Sequence, residues 1–160
     1  MSDQFTNSNS AVLAVFPAGE DTAVLRGILA NSAWRLHAAA TVAEACLLVD
    51  PSTAAIVCER SFPDGRGWKD LLAVLHDMIN PPALIVADRL ADDRLWAEVL
   101  NLGAYDLLAK PFDTKAVLYS VSAACRWREG RQVAPRRLSK AMERRVPPPP
   151  KSHSACEGCG

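Results

Sequence analysis

Ala54–Trp68 reads AAIVCERSFPDGRGW. An apolar run stops at a carboxylate, Glu59, and a Pro63-Asp64-Gly65 turn follows. Thr53–Cys58 is short and rich in strand-forming side chains, so it reads as a buried strand bounded by turn residues. Beyond the turn, Leu71, Leu72, Leu75 and Ile79 recur at helical spacing, giving a helix expected to reach Asn80 before Pro81 and Pro82 stop it. The stretch is therefore one strand–turn–helix unit.

The same unit repeats on both sides. Ala11–Phe16 is an apolar strand, and Glu20–Ala30 a helix with Val24, Leu25, Ile28 and Leu29 on one stripe. Trp34–Ala39 is a second strand, and Thr41 caps the next helix, with Glu44 three residues on to complete a capping box. Ala83–Ala87 is a fourth strand, Ala91–Leu102 a fourth helix ended by Gly103, and Tyr105–Ala109 a fifth strand. A last helix after Pro111 keeps Val117, Val121 and Ala124 on its inner face. Five such units with strands apolar on both faces imply an α/β fold, a doubly wound five-stranded parallel sheet with helices on both faces. Right-handed crossovers leave few topologies, and the flavodoxin-like order 2-1-3-4-5 suits this size. Function then gathers at the carboxyl ends of the strands, here Phe16-Pro17, Cys58-Glu59, Ala87-Asp88 and Ala109-Lys110-Pro111.

The 160 residues divide into an N-terminal segment 1–10 expected to be disordered, one domain over 11–129, and a basic, Pro-rich tail over 130–160 with few apolar residues, expected to be mostly disordered. A net charge of +0 hides an asymmetry. Up to Cys125 there are nine Lys and Arg against fifteen Asp and Glu, and after it nine against three. The acidic body and basic tail suggest a separate interaction segment, with nucleic acid a candidate partner through Arg126, Arg128, Arg131, Arg136, Arg137, Lys140, Arg144 and Arg145. No apolar run approaches the roughly 20 residues that span a bilayer. The polar start MSDQFTNSNS lacks the pattern of a secretory signal, and Cys46, Cys58 and Cys125 sit in apolar segments, so a cytoplasmic protein with reduced thiols is expected.

The order of units, the Pro-Asp-Gly turn after strand three and the passage GAYDLLAKPF at Gly103–Phe112 together resemble a response-regulator receiver domain of two-component signalling. The resemblance covers about residues 11–129. It implies two acidic residues for magnesium after strand one, a phosphoacceptor aspartate after strand three, a hydroxyl after strand four, an aromatic switch residue on strand five, and a lysine that pairs with the phosphoryl group. Position by position, the acidic pair falls on Phe16 and Pro17, the acceptor on Glu59, the hydroxyl on Ala87 and the aromatic on Leu107. Lys110 alone matches, with Pro111 behind it.

The resemblance thus implies a stand-alone degenerate receiver, or pseudo-receiver, that is no enzyme, needs no cofactor and acts by protein–protein contact. Glu59 is one methylene longer than aspartate, which brings its carboxylate towards the Lys110 ammonium. Either it imitates a phosphorylated state or it is a strand-end ion pair, worth about 0–1 kcal/mol if exposed. A conventional phosphorylated receiver with atypical residues is the other alternative.

Few other motifs carry chemistry. The loop FPAGED has one glycine where a dinucleotide site needs G-x-G-x-x-G, and no phosphate-binding P-loop occurs. His37, His76 and Ser61 suggest no catalytic constellation. His153, Cys156 and Cys159 offer three soft ligands, one short of a closed zinc site. On helix four, Leu95, Val99 and Leu102 form a core stripe, which Trp96 and Leu100 widen to one side. The resemblance makes Trp96 and Leu100 a candidate partner face, with a homodimer through helices four and five among the options.

Overall fold

In the computed structural model, which describes residues 10–133, the apolar runs form five parallel strands. They are β1 (Ala11–Val15), β2 (Arg35–Ala39), β3 (Thr53–Glu59), β4 (Ala83–Asp88) and β5 (Asp106–Ala109), in the order β2-β1-β3-β4-β5. The helices between and after them are α1 (Asp21–Leu29), α2 (Val42–Leu48), α3 (Trp68–His76), α4 (Asp93–Leu102) and α5 (Thr114–Val133). The doubly wound flavodoxin-like arrangement is the one the sequence implies.

Alternation along each strand builds two cores. Leu13, Val15, Ile56, Cys58, Leu84 and Val86 face α2, α3 and α4 through Val42, Ala45, Leu71, Leu75, Leu95 and Val99. Val12, Ala14, Ala55, Val57, Ala83 and Ile85 face α1 and α5 through Leu25, Leu29, Val117, Val121 and Ala124. The central strands are thereby buried on both sides. β2 is an edge strand with alternating exposure, unlike the two-sided burial expected of it.

Several boundaries differ from the sequence reading. α3 ends at His76 because the N–H groups of Asp77 and Met78 donate to Val74 and Leu75, tightening the last turn before the prolines are reached. Ile79 is thrown off the helical stripe and is wholly exposed. Val24 and Leu102, also expected in core stripes, lie 40 % and 44 % exposed on the margins of α1 and α4. α4 begins at Asp93 rather than Ala91, because Asp92 caps it, its Oδ1 accepting from the Leu95 N–H at 2.9 Å. Thr41 caps α2 as expected, but the Glu44 carboxylate accepts from Ala40 N–H, one residue before the cap. Phe16 lies just past β1, Trp34 just before β2 and Tyr105 just before β5.

At the N-terminal side, Ser10 is buried and its carbonyl accepts from Arg35 N–H, so it belongs to the body rather than to a loose segment. α5 passes the expected boundary at residue 129 and continues to Val133. The tail candidates His153, Cys156 and Cys159, and the basic residues from Arg136 on, lie outside the described residues.

Candidate functional site

Parallel strands in register bring their carboxyl ends to one edge. Val15 pairs with Cys58, Glu59 with Ala87, and Asp88 with Ala109, so the residues that follow β1, β3, β4 and β5 converge. Lys110, one residue beyond β5, turns into this edge and is 8 % exposed. The peptide bond to Pro111 is cis.

The Lys110 ammonium has two carboxylate partners. It donates to Glu59 Oε1 at 2.6 Å and to Asp21 Oδ2 at 3.1 Å. It also stands 5.7 Å from the centre of the Phe16 ring, which itself meets Phe112 edge-on at 5.9 Å. Burial alone would lower the lysine pKa, but the hydrogen bonds and charges of Glu59 and Asp21 outweigh it and raise the value above its usual one. Beside this group Arg60 pairs with Asp88 at 3.3 Å, and Arg60 N–H donates to the Ala87 carbonyl.

Of the sequence candidates, Glu59 and Phe16 each stand against Lys110. Ala87 is fully buried and offers only its backbone oxygen; Leu107 is half-buried against the α2–α4 core. Pro17 lines a groove of about 260 Å³ with Phe16, Ala18, Gly19 and Thr22. The one carboxylate lining that groove, Glu44, is spent on Ala40 N–H. Phe16 and Pro17 bring no oxygen for a hard cation. Among the described residues no group of three or more His, Cys, Asp or Glu could hold a metal ion.

Asp21 was missed in the sequence. It opens α1, where a carboxylate is favoured by the helix dipole, and its role depends on a partner 89 residues away. Its place in FPAGED, one short loop beyond β1, was the available signal. Trp96 is 49 % exposed and Leu100 half-buried, on the side of α4 expected for a partner face.

The chain has the receiver-domain fold. Solved structures similar to it include a signal receiver domain assigned to a Luxo repressor protein from Vibrio parahaemolyticus, with TM-score 0.71, 18 % identity, and coverage of 78 % of this chain and 96 % of that one. The signal receiver domain of an HD domain-containing protein from Pseudomonas fluorescens Pf-5 follows at TM-score 0.66 and 24 % identity, covering 76 % and 98 %. The non-phosphorylated HemR receiver domain from Leptospira biflexa gives 0.63 and 22 %, covering 72 % and 94 %. No family model and no curated protein matches the sequence. Among the described residues no helix is long and apolar enough to cross a membrane.

Proposed function

We propose that this chain is a degenerate receiver, a cytoplasmic signalling module that accepts no phosphoryl group and acts through protein–protein contact. The carrying observation is the closed Asp21–Lys110–Glu59 group beside Phe16. Phosphoryl transfer to a carboxylate relies on positioning and on a cation that neutralises developing charge. Here the acceptor position is a glutamate already bonded to the lysine, and an aromatic ring and a proline stand where the metal ligands of a receiver would be. The positions of the switch, Ala87 and Leu107, carry neither hydroxyl nor aromatic ring.

The partner surface on this reading includes Trp96 and Leu100 of α4, and a homodimer through α4, β5 and α5 is one form it takes. The nucleic-acid alternative loses Arg128. That guanidinium is 6 % exposed and donates to the carbonyls of Pro51 and Asn80 at 3.2 and 3.0 Å, which leaves it no route to a phosphate.

Incubation with acetyl phosphate and magnesium, followed by intact mass measurement, tests the proposal. The expected result is no added phosphoryl group. Stoichiometric labelling that is lost in Glu59→Gln would return the chain to the phosphorylated receivers.

A further inference from the structure

Away from the strand-end site, large apolar side chains stand uncovered on α2 and α3. These helices lie side by side on one face of the sheet, run in the same direction and end at the same sheet edge, opposite the Lys110 group. There Leu47 is 85 % exposed, Val74 43 % and Ile79 100 %, while Met78 packs half-buried against the core below them. Single exposed apolar residues are ordinary, but three on adjoining helix ends make a patch.

Close to that patch the exposed charges on the two helices and the turns after them are mainly acidic, with Arg35 standing at the same sheet edge, at the amino end of β2. From Leu36 to Glu59, and again from Asp70 to Asp88, the sequence has no Lys or Arg. Asp50 and Asp77 are exposed just past the helix ends, and Glu44 and Asp70 are exposed about one turn before Leu47 and Val74, where each also accepts a backbone N–H, with His76 as the neighbouring titratable base. The nearby cations are engaged, Lys69 with Glu98 at 2.6 Å and buried Arg128 with the Pro51 and Asn80 carbonyls.

We propose that this α2–α3 face docks a basic amphipathic helix of a partner protein. The apolar stripe of such a helix would cover Leu47, Val74 and Ile79, and its flanking Lys and Arg would meet the four carboxylates. Charge complementarity of this kind raises association rate and selects the partner. Other occupants fit less well. A second copy related by a two-fold axis would bring the same acidic face against itself. An anionic membrane surface would be repelled by it.

The test uses the full chain and a labelled model peptide of about 18 residues, or five helical turns, built from Leu and Lys with the leucines at i, i+3, i+4 and i+7. A second peptide has the same composition in scrambled order. Fluorescence anisotropy should give the patterned peptide about tenfold tighter binding than the scrambled one, weakening as salt is added. Leu47→Glu combined with Ile79→Glu should abolish the preference, and Asp50→Lys combined with Asp77→Lys should flatten the salt dependence. Because Leu47 and Ile79 are exposed, their thermal melts should match the parent; if the pair is unstable, Ile79→Ser alone serves. Equal affinity for the two peptides, or a preference that survives Leu47→Glu/Ile79→Glu, would overturn the proposal. So would a dimer in sedimentation that the same double variant dissolves, or vesicles of anionic lipid that bind the parent and not the variant.

Discussion

Removing the Lys110 ammonium perturbs the strand-end site most directly. In Lys110→Met the stem still packs near Phe16, while Glu59 and Asp21 lose the cation they share. The lysine side chain is 5 % exposed, that of Glu59 20 % and that of Asp21 32 %. The cost therefore falls between two limits. Stranding a charge in a fully buried pair costs about 3–5 kcal/mol, whereas an exposed pair is worth about 0–1 kcal/mol. Water reaches both carboxylates, so Lys110→Met should cost about 2 kcal/mol. Glu59→Gln keeps the side-chain size and an oxygen able to accept from the ammonium but gives up the negative charge of the shorter bond, at about 1 kcal/mol. Asp21→Asn, with the longer bond and the wetter carboxylate, should cost less than Glu59→Gln.

Urea unfolding of the parent and three variants reads these differences as shifts in midpoint at unchanged slope. The lysine pKa is raised in the folded chain, so its contribution is complete below its usual value of 10.5 and is lost as pH rises through the higher folded value. The Lys110→Met penalty should then be the same at pH 7 as at pH 9. A variant as stable as the parent would mean that the two contacts carry no net energy. Asp21→Asn costing more than Glu59→Gln would mean that the carboxylate order deduced from distance and exposure is wrong.

Other outcomes follow from single sites. Replacing Trp96 and Leu100 together with Glu and Gln should alter association in equilibrium sedimentation more than the thermal melt; unchanged mass with a loss of several kcal/mol, as in core truncation, would make them core residues. Gly67→Ala should lower the melting temperature, because a Cβ there would lie 2.6 Å from the Arg60 carbonyl oxygen, a backbone atom that cannot swing away. Stability should also fall as pH rises above 9. Burial pushes the Cys125 thiol up to about 12 and the Cys58 thiol higher still, whereas unfolded thiols ionise near 9.0, so by pH 10 each costs about 1 kcal/mol. Cys125→Ala should shallow that decline in urea titrations, and an unchanged slope would refute the assignment.

The fold was legible because its signals are local and repeated. Apolar runs of strand length, helical stripes and turn residues each arise from neighbours in sequence, and five repetitions leave little freedom in topology. The misplacements fall where local pattern and tertiary packing part. Ile79 keeps helical phase with Leu72 and Leu75 in the sequence, yet the last turn of α3 tightens before reaching it. Composition groups Arg128 with the basic tail, although it sits four residues after Ala124 on the stripe of Val117 and Val121 and is buried accordingly. Its phase on α5 was the better guide. At the site, Glu59 and Lys110 are legible from the Pro-Asp-Gly turn and the Lys-Pro pair, whereas Asp21 depends on how closely the first turn of α1 approaches Lys110.

Asp21 changes what the substitutions at the site mean. With Phe16 and Pro17 after β1 and the Asp88 carboxylate at the end of β4 paired with Arg60, a lysine buried at this edge has Glu59 as its one bonded carboxylate from the strand ends, and burying an ammonium with poor compensation is costly. The first turn of α1 supplies a second carboxylate, placed to bond the lysine rather than to join an acidic cluster. The ammonium is thus satisfied by the chain itself, which removes any need for an added phosphoryl oxygen to hold it. On the proposed reading this is why Glu59→Asp should not create activity. A shorter acceptor would still face Phe16 and Pro17 in place of metal ligands, and Asp21 would still hold the lysine. On the same proposed reading, what such a chain varies is the partner it meets, through the proposed α4 surface or the proposed α2–α3 face, and the place to look for its control is the abundance and charge of those partners rather than the chemistry at Glu59.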